Sequence, residues 1–234
     1  MPKLSIIIVN YRTPELLRLC LKAITEHLGD VDHEVKVIDN SVHNIGYARG
    51  VNAGLRETIG DYRLILNPDA VITAGAVQKM LAYMDQHPDI GILGPQLRYF
   101  NDEHQRSYFR FYRPSTILAR RTPLRYLRYF KNIEREFQML DTDPTKIQAP
   151  DWILGAAMLA RASAVAEVGL MDERFFLYFE DVDWCRRFWH NGYKVVYYPH
   201  AIFYHYYPRA SSNLSHAMLW HIQSAFKFFL KYAK

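Results

Sequence analysis

Cysteine is scarce in this sequence. The 234 residues hold two, Cys20 and Cys185. They lie far apart, with no CxxC partner and no metal-ligand spacing. That argues against a disulfide framework or a zinc module and leaves two reduced, buried thiols, as in a cytosolic protein. Long apolar runs are missing as well. No stretch reaches the roughly 18 apolar residues that a spanning helix needs, and the run over residues 4–9 is too short for a signal peptide and reads as a strand. Such a chain meets a membrane by lying on it. Repeats and low-complexity tracts are absent and Gly and Pro number 11 each, which excludes fibrous and disordered classes.

What is present is apolar residue in quantity, 50% of the chain, enough for the core of one large α/β domain. The net charge of +5 is unevenly placed. Between residues 106 and 135 lie Arg106, Arg110, Arg113, Arg120, Arg121, Arg125, Arg128, Lys131 and Arg135, opposed by Glu134 alone. A solvated face, a nucleic-acid surface and a contact with anionic lipid headgroups or a lipid-diphosphate acceptor are the three readings of that block. No nucleic-acid motif accompanies it, whereas interleaved Tyr, Phe and Leu suit a membrane interface.

The first hundred residues alternate β-branched runs with helical patterns, the mark of a mostly parallel, doubly wound sheet. Strands are expected over residues 4–9, 34–38, 62–66 and 90–93. Helices are expected after Thr13-Pro14, from Tyr47 towards Gly60, and over residues 73–86. From 98 to 150 the pattern loosens into basic and aromatic residues. Order returns at 152–159, with helices over 162–168 and 181–190 and strands at 194–198 and 201–206 separated by Pro199-His200. The tail from Leu214 reads as an amphipathic helix with Met218, Ile222, Ala225, Phe226, Phe229 and Ala233 on one side. The expected organisation is a catalytic domain over 1–212, interrupted by the basic insertion, and a helix over 213–234.

In an open α/β sheet, ligands bind at the carboxyl ends of the strands. Asp39 and Asp69 each follow a predicted strand, a place that also suits a turn residue or helix cap. Pro68 stiffens the turn that presents Asp69, and a rigid carboxylate suits Mg²⁺ or Mn²⁺ completed by substrate phosphates. A second acidic group, Glu180-Asp181-Val182-Asp183, reads either as a helix start, where carboxylates are favoured, or as acid–base machinery. The apolar run FFLYF before it should be buried, and a carboxylate at the rim of an apolar pocket is placed for proton transfer. His205 follows a strand and precedes Arg209, Ser211 and Ser212, which could meet phosphate oxygens.

In order and spacing these segments resemble family 2 glycosyltransferases of the GT-A fold, particularly the bacterial rhamnosyltransferase-like branch. The matching stretches are SIIIVNYRTPELLRLCL, VIDNS, NIGYARGVNAGL, LILNPDAVI, WILGAAMLARASAVAEVGLMDERFFLYFEDVDWCRR and GYKVVYYPHAIFYHYYPRASS. They cover most of the chain outside residues 98–150 and the tail. The resemblance implies a metal-dependent inverting transferase moving a sugar, rhamnose from dTDP-rhamnose or a sugar from a UDP donor, onto a hydroxyl of a saccharide or polyprenyl-diphosphate-linked acceptor in surface polysaccharide synthesis. It implies that Asn10, Tyr11, Arg12 and Asp39 hold the nucleoside and that Asn44, Gly46, Asn52 and Asn67 shape the donor pocket. Asp69 and His205 would hold Mg²⁺ or Mn²⁺, Asp181 would be the base, and Trp152, Gly155 and Glu180 would line the sugar side. Arg209, Ser211 and Ser212 would meet the diphosphate.

Two departures stand out: Asn67 replaces an Asp common in the family, and Tyr-Tyr-Pro-Arg-Ala replaces glycines after His205. The expected location is the cytoplasm, peripheral on the inner face of the cytoplasmic membrane, with no nucleic acid as partner. One rival, a sugar nucleotidyltransferase, would carry a Gly-rich phosphate loop after the first strand, where this chain has NYRTPE. The other, an inactive membrane-associated assembly module, sits poorly with three retained carboxylates.

Overall fold

A computed structural model describes residues 2–206 and 216–233, apart from the side chains of Arg121 and His216. The elements are β1 (Leu4–Asn10), α1 (Pro14–His27), β2 (His33–Asp39), α2 (Tyr47–Glu57), β3 (Tyr62–Leu66), β4 (Ala70–Ile72), α3 (Ala76–Gln86) and β5 (Ile90–Arg98). They continue with β6 (His104–Gln105), β7 (Tyr108–Phe109), α4 (Pro114–Arg121), a 3₁₀ turn (Pro123–Tyr126), α5 (Arg128–Phe137), β8 (Trp152–Ile153) and β9 (Ala157–Arg161). The chain closes with α6 (Ala162–Val168), α7 (Glu180–His190), β10 (Lys194–His205) and α8 (His216–Tyr232).

The main sheet runs β2-β1-β3-β9-β5-β10-β4, with β6 beside β5. β1 pairs in parallel with β2 and β3, and β5 with β10, whereas β9 lies antiparallel between β3 and β5. This arrangement makes the site. The carboxyl ends of β1, β2, β3 and β10 point to one edge, and the reversed β9 brings its amino end, and therefore Gly155, to the same edge. β1 is apolar and buried along its whole length because helices cover both faces.

The strand expected in two pieces around Pro199-His200 is one strand, β10, whose pairing with β5 shifts register between Tyr198 and Ile202. Pro199 has no N–H to give the ladder, so a bulge absorbs it and the strand resumes. The loosened stretch 98–150 contains α4 and α5, fastened by packing of Phe109 and Phe137 on Trp152 and by Tyr112 against Phe179.

The tail helix α8 packs on the protein through part of the expected side, Ala225 and Phe229, and through Phe228. Ala225 and Phe228 are buried, while Ile222 and Phe226 are exposed. Large apolar side chains stand on more than one side of the helix, so composition carries little information about its inner side. Its inner face is pinned to the 172–183 stretch: Ser224 Oγ donates to the Leu177 carbonyl at 2.8 Å, and Lys231 bridges Asp172 and Asp183. The Phe228 ring centroid lies 5.4 Å from that of Phe179, immediately before α7. Phe228→Ala is expected to cost about 3–5 kcal/mol, as for other buried aromatics. Urea unfolding measures it, and a loss below about 1 kcal/mol would show that α8 is dispensable to the core.

Candidate active site

Four loops at the carboxyl edge form the site. After β1, Asn10 is buried and ties the nucleoside-side loops together. Its amide donates to Asp39 Oδ1 at 3.3 Å and to Ser41 Oγ at 3.4 Å, and its carbonyl oxygen accepts from Thr13 Oγ1 at 2.9 Å. The backbone N–H of Arg12, whose φ is 57°, donates to Ser41 Oγ at 3.0 Å. Tyr11 is exposed beside the Arg12 guanidinium, open to a planar ligand. The Ser41 hydroxyl and N–H, followed by the Asn10 amide, hold the Asp39 carboxyl below its ordinary range. A rigid anionic acceptor on the rim follows, able to read an N–H edge.

Asn44 and Gly46 shape the turn into α2: Asn44 Oδ1 accepts the Gly46 N–H at 3.0 Å. Gly46 has φ +91°, and a Cβ there would lie 2.8 Å from the Phe176 carbonyl oxygen, so only glycine fits. Asn52 is buried inside α2. Its amide exchanges hydrogen bonds with the Met171 backbone and donates to Glu173. It anchors the stretch leading to α7, and no contact here brings it to the crevice.

The Asn67-Pro68-Asp69 turn follows β3. Asp69 is fixed through its carbonyl, which accepts the Tyr206 N–H at 2.9 Å. Its Oδ1 is buried with no hydrogen bond, although His205 Nε2 stands 3.3 Å away. His205 is buried and its Nδ1 lies 2.9 Å from Gln105 Oε1. In the neutral ring that contact takes Nδ1–H and turns the Nε2 lone pair towards Asp69, the arrangement by which an outer partner orients a metal-binding imidazole. A carboxylate oxygen and an imidazole nitrogen converging on one point fit a divalent cation, Mn²⁺ accepting the nitrogen more readily than Mg²⁺. Among the described residues no group of three or more His, Cys, Asp or Glu side chains could hold a metal. Phosphates and water would supply the other ligands. Cys20, close by, is no ligand candidate: burial, followed by the Asp69 charge, pushes its thiol up to about 12.

The opposite wall is the start of α7. Tyr178 and Phe179 both have positive φ, 67° and 68°, a strained pair of non-glycine residues that turns the chain sharply into the helix. Glu180 and Asp181 are thereby held inside. Asp181 Oδ2 accepts the Gly155 N–H and Oδ1 the Val182 N–H, each at 2.9 Å. Burial raises the Asp181 carboxyl to about 6 against these lowering hydrogen bonds. Burial, and next the Asp181 charge, push Glu180 well up, and its Oε2 has no hydrogen bond. A Cβ on Gly155 would come within 3.2 Å of Asp181 Cβ, so glycine lets the loop approach. Trp152 is buried under the insertion, its Nε1–H given to the Arg110 carbonyl at 2.8 Å. It ties the insertion to the strand that leads to Gly155. Arg209, Ser211 and Ser212 lie outside the described residues.

Sequence reasoning missed Tyr47. Its hydroxyl lies 2.9 Å from both the Asn67 amide and the Gly155 carbonyl, and its N–H donates to the Phe176 carbonyl at 2.7 Å. Burial and the charges of Glu180, Asp181 and Asp69 hold the phenol well above its ordinary value, so it stays a neutral donor. Its single proton is shared between two acceptors, Asn67 Oδ1 and the Gly155 carbonyl. One side chain thus spans the Asp69 turn and the loop that holds Asp181. Gln105 behind His205 was missed for the same reason: nothing local marks either residue. Tyr47→Phe is expected to lower turnover on the order of 10-fold, because a buried carbonyl and amide lose their partner at a cost of about 1–3 kcal/mol. Nucleotide-sugar affinity should hold, so kinetics and binding measured on one preparation separate the two; equal losses in both would point to general unfolding.

A family model described as glycosyl transferase family 2 matches residues 6–148. The rhamnosyltransferase WbbL of Escherichia coli is 28% identical over 218 residues, covering 90% of this chain and 77% of its own length. The N-acetylglucosaminyl-diphospho-decaprenol L-rhamnosyltransferase of Mycobacterium tuberculosis is 30% identical over 172 residues, covering 68% of this chain and 54% of its own, so the chain spans about half of that relative. Among solved structures, GalNAc-T7 with UDP, GalNAc and Mn²⁺ superposes with a TM-score of 0.66 at 14% identity, covering 93% of this chain and 47% of that one. A mannosyltransferase from Pyrobaculum calidifontis with GDP-Man and Mn²⁺ gives 0.60 at 16% identity, covering 96% and 61%. At such identities these structures speak for the fold alone, which is of the GT-A type.

Proposed function

This chain belongs to glycosyl transferase family 2, and from that premise we propose that it is a divalent-metal-dependent, inverting rhamnosyltransferase. The donor is dTDP-rhamnose. The acceptor is a hydroxyl of a saccharide or polyprenyl-diphosphate-linked glycan, met at an anionic membrane surface on the cytoplasmic side. The observation that carries this is the buried Asp181 carboxylate, held by Gly155 and braced through Tyr47 against the Asp69 turn.

Asp39 and the 10–12 loop receive the pyrimidine. Asp69 and His205 would hold Mn²⁺ or Mg²⁺, whose charge would offset that gathering on the diphosphate. Asp181 takes the proton of the acceptor hydroxyl as the oxygen attacks the anomeric carbon opposite the diphosphate, and direct displacement inverts the configuration. Glu180, whose carboxyl is pushed up by burial and next by the Asp181 charge, stands on the same wall beside the base. Excluding water here strengthens each of these contacts.

A thermal-shift panel of dTDP- and UDP-sugars with Mn²⁺ tests the donor. Ligand at about 100 times its Kd stabilises the native state by about 2.7 kcal/mol. dTDP-rhamnose should give the largest shift, and transfer to an acceptor should yield the inverted linkage. A larger shift with UDP-sugars moves the donor assignment; pyrophosphate release from a nucleoside triphosphate would replace the transferase reading.

A further inference from the structure

The outer face of α8 carries a continuous apolar row. Leu219, Ile222, Phe226 and Leu230 are 57%, 52%, 64% and 60% exposed, and their spacing of three, four and four residues keeps them on one side of the helix. Scattered exposed apolar side chains are ordinary, but a contiguous row marks a contact surface. The opposite side of α8 is fully engaged by Phe179, Leu177 and Asp183, so the row cannot turn inward without undoing the fold.

Charge says what covers it. Residues 216–233 contain no Asp or Glu. Along one edge of the helix a cleft of about 590 Å³ opens between α8, the start of α2 and the 173–176 stretch. Apolar Ile45, Phe176 and Leu230 line it together with Arg49, Arg174, Lys227 and Lys231, and Glu173 is the one acid of the lining. Lys227 donates to the Arg174 carbonyl at 2.7 Å rather than to a carboxylate, and the Arg49–Glu173 pair is long, 3.6 Å, and exposed, whereas Arg174 is bound by Asp172 at 2.6 Å and Lys231 by Asp172 and Asp183. Apolar row and cationic cleft meet at Leu230. A second copy of the chain would set another acid-free, cationic helix against this one, placing like charges together. A surface that is apolar beneath and anionic at its rim complements both features.

We propose that the outer face of α8 and the adjoining cleft are a docking surface for an anionic phospholipid bilayer. The row enters the boundary between headgroups and acyl chains, and the cleft cations meet lipid phosphates. No residue of the basic insertion lines the cleft. Docking itself requires no transferase activity; its consequence, that the acceptor side of Asp181 faces the lipid, rests on the lipid-linked acceptor proposed above. Because the inner face of α8 grips the stretch running into α7, the helix joins the bilayer rigidly to the wall that carries the base.

Flotation of the full chain, without nucleotide, on vesicles rich in phosphatidylglycerol or made of phosphatidylcholine alone tests this at moderate salt. The wild type should float with the anionic vesicles and not with the neutral ones. Leu219→Glu with Phe226→Glu should lower partitioning at least 10-fold with an unchanged melting temperature, these side chains being exposed, and Lys227→Glu should weaken it less. Arg125→Glu with Arg128→Glu, on the insertion, should retain flotation. As a second measurement, Phe226→Trp should show fluorescence quenched by brominated lipid in anionic vesicles. Absent flotation, flotation indifferent to the 219/226 pair, or absent quenching overturns the proposal. So does a lipid-free dimer that the same pair dissolves, since a second copy would then own the row. Transfer to a water-soluble acceptor proceeds or fails independently of all these results.

Discussion

Asp181→Asn lowers turnover by about 10²–10⁴-fold, the usual worth of a general base, while nucleotide-sugar binding survives. The substitution keeps size and planarity and removes the site that accepts the proton. The nucleotide contacts proposed for Asp39 and the 10–12 loop belong to a separate hydrogen-bonded group around Ser41, so the donor's thermal shift should not move. The pH dependence carries the sign. Burial sets the carboxyl at about 6 rather than its ordinary 3.8, and only the ionised form can take a proton. The wild-type kcat/KM therefore rises with pH through about 6 and levels off above it, whereas the residual rate of the Asn variant shows no such limb. Stability runs the other way. A carboxyl whose folded value is raised is accommodated fully below pH 3.8, and the fold loses stability as pH climbs from there through about 6. The catalytic form of the site is the costlier one to bury. Near-normal turnover of the Asn variant would remove Asp181 from the reaction.

Elements whose pattern follows from local geometry were legible in the residues. β3 over Tyr62–Leu66 and α6 over Ala162–Val168 stand where the apolar period placed them, because short buried strands and capped helices carry their own signals. The antiparallel seat of β9 between β3 and β5 did not show, since strand order is set by packing between distant stretches. α4 and α5 were hidden because arginines interrupt the apolar period, although arginine stems can themselves cover apolar surface. The face of α8 was unreadable for a different reason: phenylalanines 226, 228 and 229 lie almost side by side in sequence, and only the partner surface decides which of them turns inward. Within the site, Asp39, Asp69 and Asp181 were visible as carboxylates at element ends. Tyr47 was not, because its role is distributed over Asn67, Gly155 and Phe176, three stretches that meet only in the folded chain.

The donor half of the site gives the second large effect. Asp69→Ala should abolish the Mn²⁺-dependent part of nucleotide-sugar stabilisation and cut turnover on the order of 10²–10³-fold, since Lewis-acid stabilisation of a leaving diphosphate is worth several kcal/mol and each 1.4 kcal/mol is about tenfold. The physical ground is the buried Oδ1, which has no hydrogen bond and stands 3.3 Å from His205 Nε2. A carboxylate oxygen kept from water without a donor is costly to the apo protein, and a cation shared with the imidazole removes that cost. The same reasoning grades the neighbours. Gln105→Leu frees the Nδ1 side of His205 and should weaken Mn²⁺ affinity by about 10–100-fold, the usual effect of losing an outer partner. Asn67→Asp adds a charge against the Tyr47 hydroxyl, 2.9 Å away, and should tighten Mn²⁺ binding. Chelation provides the independent readout. EDTA should erase the wild-type thermal shift with the nucleotide sugar and leave that of Asp69→Ala unmoved, because the variant has no metal-linked share to lose. A wild-type shift indifferent to EDTA and equal to that of the variant would mean that the diphosphate is held by the chain's own cations, and Asp69 would revert to a residue of the turn.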